Sequence, residues 1–372
     1  MVMPKFRKSD IELQNGEDLT DFLQRNGKIT DEKVVKNGTS VLQGMDIWDT
    51  PSRDVEWAVK DMIPMRKKTV AVGDFEAGKS YLYLGAALSI AGGKTGYIGF
   101  EIPKMRKVLY VDLENGIDET LGRIRKLTVG HQIDKLKASD NLTLITKPGD
   151  FEEVFPLIET QVLVQKPDVI IIDNLYQLSG ASNISDADKI KPLLTKIERL
   201  KEKSDAALVV IHHFNKNTQD QGVAEERMAG SSVLNWWYEH CLLLCKTNQD
   251  FSLLAIGKSR MGSKNPGVYG IEINDQPQGG VAVECGGLVS SDKIKGLVIP
   301  EPRKTKWEHH LSRMADDFET YEWLNVCGDT QDDKVSDGTA HRWLGEMAAV
   351  GIVKKLSHGR YKKTKMTFYE TD

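Results

Sequence analysis

Five short runs of nearly unbroken valine, isoleucine and leucine punctuate the middle of this chain: KKTVAVG (67–73), KVLYVDL (107–113), NLTLITK (141–147), DVIIID (168–173) and ALVVIHH (207–213). A strand that is apolar on both faces must be covered on both faces, which is the signature of a parallel sheet buried between helices. The intervening stretches supply those helices. KSYLYLGAALSIAGG (79–93), DETLGRIRKL (118–127), FEEVFPLIETQVLVQ (151–165) and DADKIKPLLTKIERLKEK (186–203) all space their apolar residues as helices do. Strand–helix alternation with right-handed crossovers therefore predicts an α/β fold with a mostly parallel sheet flanked by helices. After residue 230 the texture changes to consecutive strand candidates, EHCLLLCKT, FSLLAIGKS, GVYGIEIN and GGVAVECGG. These are expected as antiparallel strands at the sheet edge.

The first of the buried strands runs directly into GDFEAGKS (73–80), and a helix follows. This is the G-x-x-x-x-G-K-[ST] spacing in the context its chemistry requires. Backbone amides of the loop and of the helix N-terminus form a nest for phosphate oxygens. The expected contact set is Gly73, Asp74, Phe75, Glu76, Ala77, Gly78, Lys79, Ser80 and Tyr81. Lys79 supplies a point charge to the terminal phosphates, and Ser80 a hydroxyl ligand for Mg2+. Glu76 is the odd member, because a carboxylate in this loop repels phosphate unless it turns to solvent.

Other polar residues fall at strand ends, where open α/β sheets place their working groups. PDVIIIDN ends a strand with Asp173, the position that holds Mg2+ in such ATPases. YVDLEN places Glu114 just past the strand that follows the first helix, as a candidate base for the attacking water. VVIHHFNK offers His212 and His213 on opposite faces. His213 is preferred as a sensor of the terminal phosphate because it lies closer to the strand end. GKSRMG (257–262) sends Lys258 and Arg260 to one face, a pair suited to stabilising transition-state charge from a neighbouring subunit.

The order GDFEAGKS, YVDLEN, VIIIDN, VVIHHFNK, MAGSSVLN and GKSRMG, over about residues 50–285, resembles the RecA-like ATPase core of RepA-like and DnaB-like hexameric helicases. The resemblance implies ATP and Mg2+ as cofactors, Glu114 as base, His213 as sensor, and Lys258 and Arg260 acting in trans in a ring or filament. It also implies that the loops after the fourth and fifth strands, 179–188 and 215–232, face DNA. Lys216 and Arg227 are then the phosphate-contact candidates.

Downstream, WEHHLSRMADDFETYEWLNV and SDGTAHRWLGEMAAVG read as helices, and IVKKLSHGRYKKTKMTFYE as a hairpin around His-Gly. Helix, helix and hairpin outline a winged helix. Its hairpin carries Lys354, Lys355, Arg360, Lys362, Lys363 and Lys365 with no acid between them, and Tyr361 among them. That pattern fits contact with a DNA backbone, with Thr339, His341 and Arg342 on the preceding helix. The domain boundaries expected are an extension at 1–50, an ATPase domain at 51–287, a linker at 288–305 and a winged helix at 306–372.

Composition narrows the rest. Lys+Arg 50 against Asp+Glu 54 gives a net charge of −4, which excludes a protein coated in positive charge but not a local basic patch. Cys241, Cys245, Cys285 and Cys327 are too few and too irregular for a disulfide framework, and Cys241 and Cys245 read as buried thiols. The start, MVMPKFRKSDIEL, lacks the apolar centre of a signal peptide, and no run approaches a membrane span. A cytoplasmic protein at the nucleoid or replisome is expected. The reading is a DNA helicase or translocase, a homo-oligomer and specifically a hexamer, serving phage, plasmid or mobile-element replication beside partner proteins. Two alternatives stay open: a RecA-like recombination, repair or helicase-loading ATPase that binds DNA without unwinding it, and an ATP-timed regulator that works through its winged helix.

Overall fold

A computed structural model describes residues 35–36, 39–40, 46–49, 54–146, 151–178, 187–215, 218, 221–230, 232–261, 267–298, 301–329, 334–349 and 351–364. The chain divides into two units, 1–54 and 55–372. In the first, Val35–Lys36 pairs antiparallel with Thr39–Ser40, and Asp46–Asp49 is a helical turn. Most of the extension expected at 1–50 lies outside the described residues, as do Lys216, Lys365 and most of 179–188.

The second unit is built on a nine-stranded sheet. Its strands, in chain order, are β1 (Lys68–Gly73), β2 (Val108–Asp112), β3 (Leu142–Thr146), β4 (Val169–Asp173), β5 (Ala207–His213), β6 (His240–Lys246), β7 (Ser252–Ser259), β8 (Val268–Asp275) and β9 (Val281–Leu288). The spatial order is β9-β8-β7-β6-β1-β5-β4-β2-β3. Pairing is parallel from β6 through to β3, and antiparallel among β6, β7, β8 and β9. This is the mostly parallel sheet with antiparallel edge strands that the sequence predicts, with one correction. His240–Lys246 pairs parallel with β1 on one side and antiparallel with β7 on the other, so it lies inside the sheet rather than at its edge. It enters from a short helix, α5 below, and its HCLLLC run is buried on both faces as the interior strands are.

Four long helices cover the faces: α1 (Lys79–Ala91), α2 (Ile117–Gly130), α3 (Phe151–Gln165) and α4 (Ala187–Ser204), followed by the short α5 (Ser232–Trp237). Alternation along each strand divides the core in two. Val70, Val72, Ile170 and Ile172 pack with Ile158 of α3 and with Ile190 and Leu194 of α4. Ala71, Ile171 and Val209 pack with Leu84 and Leu88 of α1 on the other face. Because β1 is central and its carboxyl end opens between these layers, whatever follows Gly73 is presented at the mouth of the sheet.

The stretch read as a linker contains helix. α6 (Ser291–Leu297) and α7 (Glu301–Ser312) occupy it. Leu297 and Val298 are buried in the same cluster as Val70, and the Leu297 carbonyl accepts a hydrogen bond from the Asn248 amide at 2.8 Å. Apolar residues in a Gly- and Ser-bearing stretch thus extend the core to Val298.

Beyond α7 come β10 (Asp317–Glu319), α8 (Thr320–Gly328), α9 (Asp337–Ala349), β11 (Val353–Ser357) and β12 (Arg360–Lys363). The three strands form a sheet in the order β10-β12-β11, and Trp307, Trp323, Trp343, Phe318 and Tyr361 build a separate core beneath it. α8 opens with a capping box of Glu319 and Glu322, and α9 with Ser336, whose hydroxyl accepts from the Thr339 amide at 3.4 Å.

Candidate nucleotide site

The loop after β1 owes its shape to two glycines. A Cβ on Gly73 would sit 2.2 Å from the carbonyl oxygen of Leu244, a backbone atom that cannot give way. Gly78 holds φ +88°, the left-handed region that side chains avoid, and a Cβ there would also meet Ile273 at 2.4 Å. Between them Glu76 adopts φ 59°, a strained value for a non-glycine residue. Its carboxylate turns outward and pairs with Lys246 at 3.3 Å. That pair offsets part of the repulsion expected of Glu76, which still lines the cleft.

Asp74 is buried and also faces away from the nest. Its carboxylate accepts from the Lys246 amide at 2.9 Å and from the guanidinium of Arg227. Ala77 is buried, its carbonyl accepting from the Ser252 hydroxyl at 3.0 Å, whereas Phe75 is 70% exposed and lies 6.3 Å from the His213 ring. Lys79 opens α1 with its amine donating to the carbonyls of Gly73 (3.1 Å) and Asp74 (2.5 Å). Burial pushes this amine down to about 8, against the opposing pull of Asp173, Asp74 and Glu114.

Asp173 ends β4 beside Ser80. It accepts from the Ser80 hydroxyl and from the Tyr110 hydroxyl at 3.0 Å. Burial raises its carboxyl to about 6; the charges of Asp112 and Glu114 add to the rise, and the two hydroxyls oppose it. Among the described residues no group of three or more His, Cys, Asp or Glu is placed to hold a metal alone. One hydroxyl and one carboxylate in contact are, however, the protein share of a Mg2+ site that completes its shell with phosphate oxygens and water. These residues fit that ion.

Glu114 follows β2 in a turn organised by Asp112. The Asp112 carboxylate accepts from the amides of Glu114 (3.1 Å) and Asn115 (2.9 Å) and from the hydroxyl of Thr120 (2.8 Å) in the first turn of α2. The Glu114 carboxylate itself accepts from Asn174 Nδ2 at 2.6 Å. The same amide nitrogen lies 3.3 Å from His213 Nε2. Only the amide can donate in that contact, so Nε2 is unprotonated, and burial together with Lys79 and His212 lowers the His213 pKa to about 4. His212 points the other way, its ring nitrogen 2.7 Å from the Ala229 carbonyl.

These groups meet in one cleft of about 480 Å3, lined by Phe75, Lys79, Ser80, Glu114, Asp173 and His213 at the phosphate end. Tyr81, Arg123, Ile273 and Asp275 also line it, with the Arg123 guanidinium 5.4 Å from the Tyr81 ring. A flat ring against a cation and an aliphatic side chain suits a nucleobase. Three contributors, Asp112, Asn174 and Arg123, are not singled out by the sequence motifs. Asn174 carries a signal, as the polar residue immediately after Asp173; Arg123 carries none, in a helix that reads as ordinary amphipathic surface.

Other expected residues lie elsewhere. Lys258 and Arg260 sit at the far end of the sheet. Ser259 pairs with His240, which pairs with Thr69 at the start of β1, whereas the loop follows Gly73 at its end. At about 3.3 Å per residue, over 10 Å of strand separates them from their own nucleotide loop. Lys258 donates to the Asn235 carbonyl at 2.9 Å, and Arg260 to that of Trp236 at 3.5 Å. Trp237 is buried in the core, while Trp236 is 77% exposed.

Two expectations for DNA contact are corrected. Arg227 has no exposed surface at all, since Asp74, Gly222 and the Phe214 ring enclose its guanidinium. Tyr361 is buried and stacks on Phe318 at 6.0 Å, so it does not join the surrounding cations at a DNA backbone. On the hairpin Lys354, Lys355, Arg360 and Lys362 are exposed, and Lys363 is half-buried with its amine on the Met314 carbonyl at 2.7 Å. The absence of acids along the hairpin is offset across it, because Asp317 stands opposite Lys362 and Glu319 opposite Arg360.

Residues 40–219 match the family model AAA_25, described as an AAA domain. Among solved structures, the chain is similar to a KaiC-like protein of the hyperthermophilic archaeon Pyrococcus horikoshii OT3, at 13% identity and a TM-score of 0.44 over 63% of this chain and 99% of that one. It is also similar to the RadB recombinase, at 16% identity and a TM-score of 0.43 over 59% of this chain and 91% of that one. No curated protein matches the chain. No helix among the described residues is long and apolar enough to cross a membrane.

Proposed function

We propose that this protein is a Mg2+-dependent ATPase of the RecA-like class that works as a ring of identical subunits on DNA. In this reading it is a helicase or translocase of the RepA-like and DnaB-like kind, serving replication of a phage, plasmid or mobile element. The observation that carries the hydrolase assignment is the convergence of Lys79, Ser80, Asp173, Glu114 and His213 on one cleft at the carboxyl ends of neighbouring parallel strands. The AAA-domain match over residues 40–219 supports the same class.

Each residue then has a task set by its surroundings. The amides from Gly73 to Ser80 and the start of α1 bind phosphate oxygens. Lys79 adds its charge, and Ser80 with Asp173 holds Mg2+, which supplies charge neutralisation on the phosphates. Glu114, aimed by Asn174, takes a proton from the attacking water. His213, neutral and beside Asn174, senses the terminal phosphate.

Lys258 and Arg260 lie too far from their own loop to act on it. Their position at the opposite sheet end supports action on a neighbour's nucleotide, hence a ring. Lys354 stands directly across from Lys362 on the hairpin. Two cations in register repel unless an anion lies over them, which supports contact between a winged-helix domain and the DNA backbone. The acids opposite Lys362 and Arg360 favour the rival reading, in which this domain docks a protein and the ATPase serves recombination, repair or helicase loading, binding DNA without unwinding it.

The test is ATP hydrolysis with and without single-stranded DNA, and strand displacement from a forked duplex, with native mass measured in the presence of a non-hydrolysable ATP analogue. The proposal expects DNA-stimulated hydrolysis, displacement and a closed hexamer, with the first two lost in Lys79→Ala. Stimulation without displacement selects the rival. Hydrolysis indifferent to single-stranded DNA, with sequence-specific duplex binding, overturns both in favour of a regulator.

A further inference from the structure

The short 3-10 turn Glu225–Arg227 touches three functional parts of the molecule at once. Toward the nucleotide loop, Arg227 donates through Nη2 to the Asp74 carboxylate and through Nη1 to the Gly222 carbonyl at 2.7 Å. Its guanidinium lies 4.1 Å from the centre of the Phe214 ring. Asp74 in turn receives the Lys79 amine on its carbonyl, so Lys79, Asp74 and Arg227 form an unbroken chain of contacts. Toward β5, the Arg227 carbonyl accepts from the Asn215 amide at 2.6 Å, and the Ala229 amide donates to the His213 carbonyl at 3.1 Å. Toward the opposite sheet end, the Glu225 carboxylate accepts from the Lys258 amide and from the Tyr238 hydroxyl at 2.8 Å.

A packing role does not require this arrangement. A wholly buried ion pair gives little net stability over apolar side chains of the same volume, because desolvation offsets most of its attraction. What it does provide is direction: a guanidinium with several fixed donors holds two segments in one relative position. Here the two segments are the nucleotide loop and a turn whose other arm holds the Lys258 strand end.

We propose that Arg227 is a positioning residue that locks this turn to the nucleotide loop. Engagement of Lys79 by phosphate then resets the turn and, through Glu225, the strand end bearing Lys258 and Arg260. The inference rests on the nucleotide-binding reading above and deepens it. When the Lys79 amine swings toward phosphate it releases the Asp74 carbonyl, and Asp74 is the residue Arg227 grips. The state of a subunit's own site is thereby carried across the sheet to the residues offered to its neighbour.

Hydrogen exchange of the full chain, with and without a non-hydrolysable ATP analogue and Mg2+, tests this. In the wild type, nucleotide should slow exchange at residues 225–229 and 257–260 by about tenfold. In Arg227→Gln the analogue still binds, with a Kd within about threefold of wild type because no nucleotide contact is removed, but the slowing at 225–229 disappears. Arg227→Lys keeps the buried cation and guards against a folding defect; it should lose at least half of the nucleotide-linked slowing. A wild type that binds the analogue without change at 225–229 overturns the inference alone. So does an Arg227→Lys protein with undiminished slowing. A wild type that binds no analogue overturns the nucleotide reading itself.

Discussion

Asn174 offers a sharp test of how the site is held together. One amide nitrogen spans the candidate base and the candidate sensor, 2.6 Å from Glu114 and 3.3 Å from His213. In Asn174→Ala the Glu114 carboxylate loses the donor that aims it. A hydrogen bond to a charged group contributes about 1.5–3 kcal/mol, and Glu114 is exposed, so water replaces part of that loss. Taking the lower half of the range, and about 1.4 kcal/mol per tenfold in rate, kcat should fall roughly 10- to 50-fold.

KM for ATP should stay within about twofold, because the loop from Gly73 to Ser80 is untouched and uniform binding is unchanged. The assay is steady-state ATP hydrolysis at saturating Mg2+, with the variant's melting temperature measured alongside. Asn174→Asp adds a second reading, since it sets a carboxylate against Glu114 and should depress kcat further than alanine does. A kcat for Asn174→Ala within twofold of wild type, in a protein that melts normally, refutes the assignment of Glu114 as an aimed base. An equal rise in KM would instead place Asn174 in nucleotide binding.

Three other outcomes follow from the geometry. Arg260→Ala and Lys79→Ala should each abolish hydrolysis, yet their mixture should regain it, because one subunit supplies an intact loop and its neighbour an intact Arg260; no recovery on mixing would remove the action in trans. Lys354→Ala and Lys355→Ala should each lower the slope of log binding constant against log salt for DNA by about one, read by fluorescence anisotropy at several salt concentrations; an unchanged slope would assign the hairpin to another partner. Glu56 contacts Arg106 and Arg66, which with Lys104 hold its carboxyl down at about 2, Arg106 most strongly. A lowered carboxyl stabilises the fold above its unfolded value near 4.5 and ceases to as pH falls toward 2. Glu56→Gln should therefore cost about 1 kcal/mol at neutral pH, a figure reduced because the side chain is 36% exposed, and the difference from wild type in urea denaturation should shrink below pH 4.5.

The contrast between what the sequence disclosed and what it hid has a physical basis. Strands such as VIIID and VLYVD are buried on both faces, so burial dictates every residue and the pattern is plain. The loop after β1 is legible for a related reason, since Gly73 and Gly78 sit where a Cβ would strike backbone or require a left-handed φ. Arg227 defeats such reading. Its neighbours Glu225 and Glu226 make the segment look like a solvated loop, and its partner Asp74 is remote in sequence. The pairing of β5 with β1 brings the two together, because the turn bridges to the end of β5 through Phe214 and Met228, and the Phe214 amide donates to the Gly73 carbonyl beside Asp74.

The same cause explains Lys258 and Arg260: their alternation along β7 is visible in the sequence, but the end of the sheet they occupy depends on β7 running antiparallel to β6. Once that direction is set, the cation pair lies at one end and the nucleotide loop at the other, and the turn Glu225–Arg227 is the part that reaches both. A single-subunit mechanism leaves that span without a use. The proposed ring would give it one, because each subunit would then expose its cations to a neighbour in step with its own nucleotide.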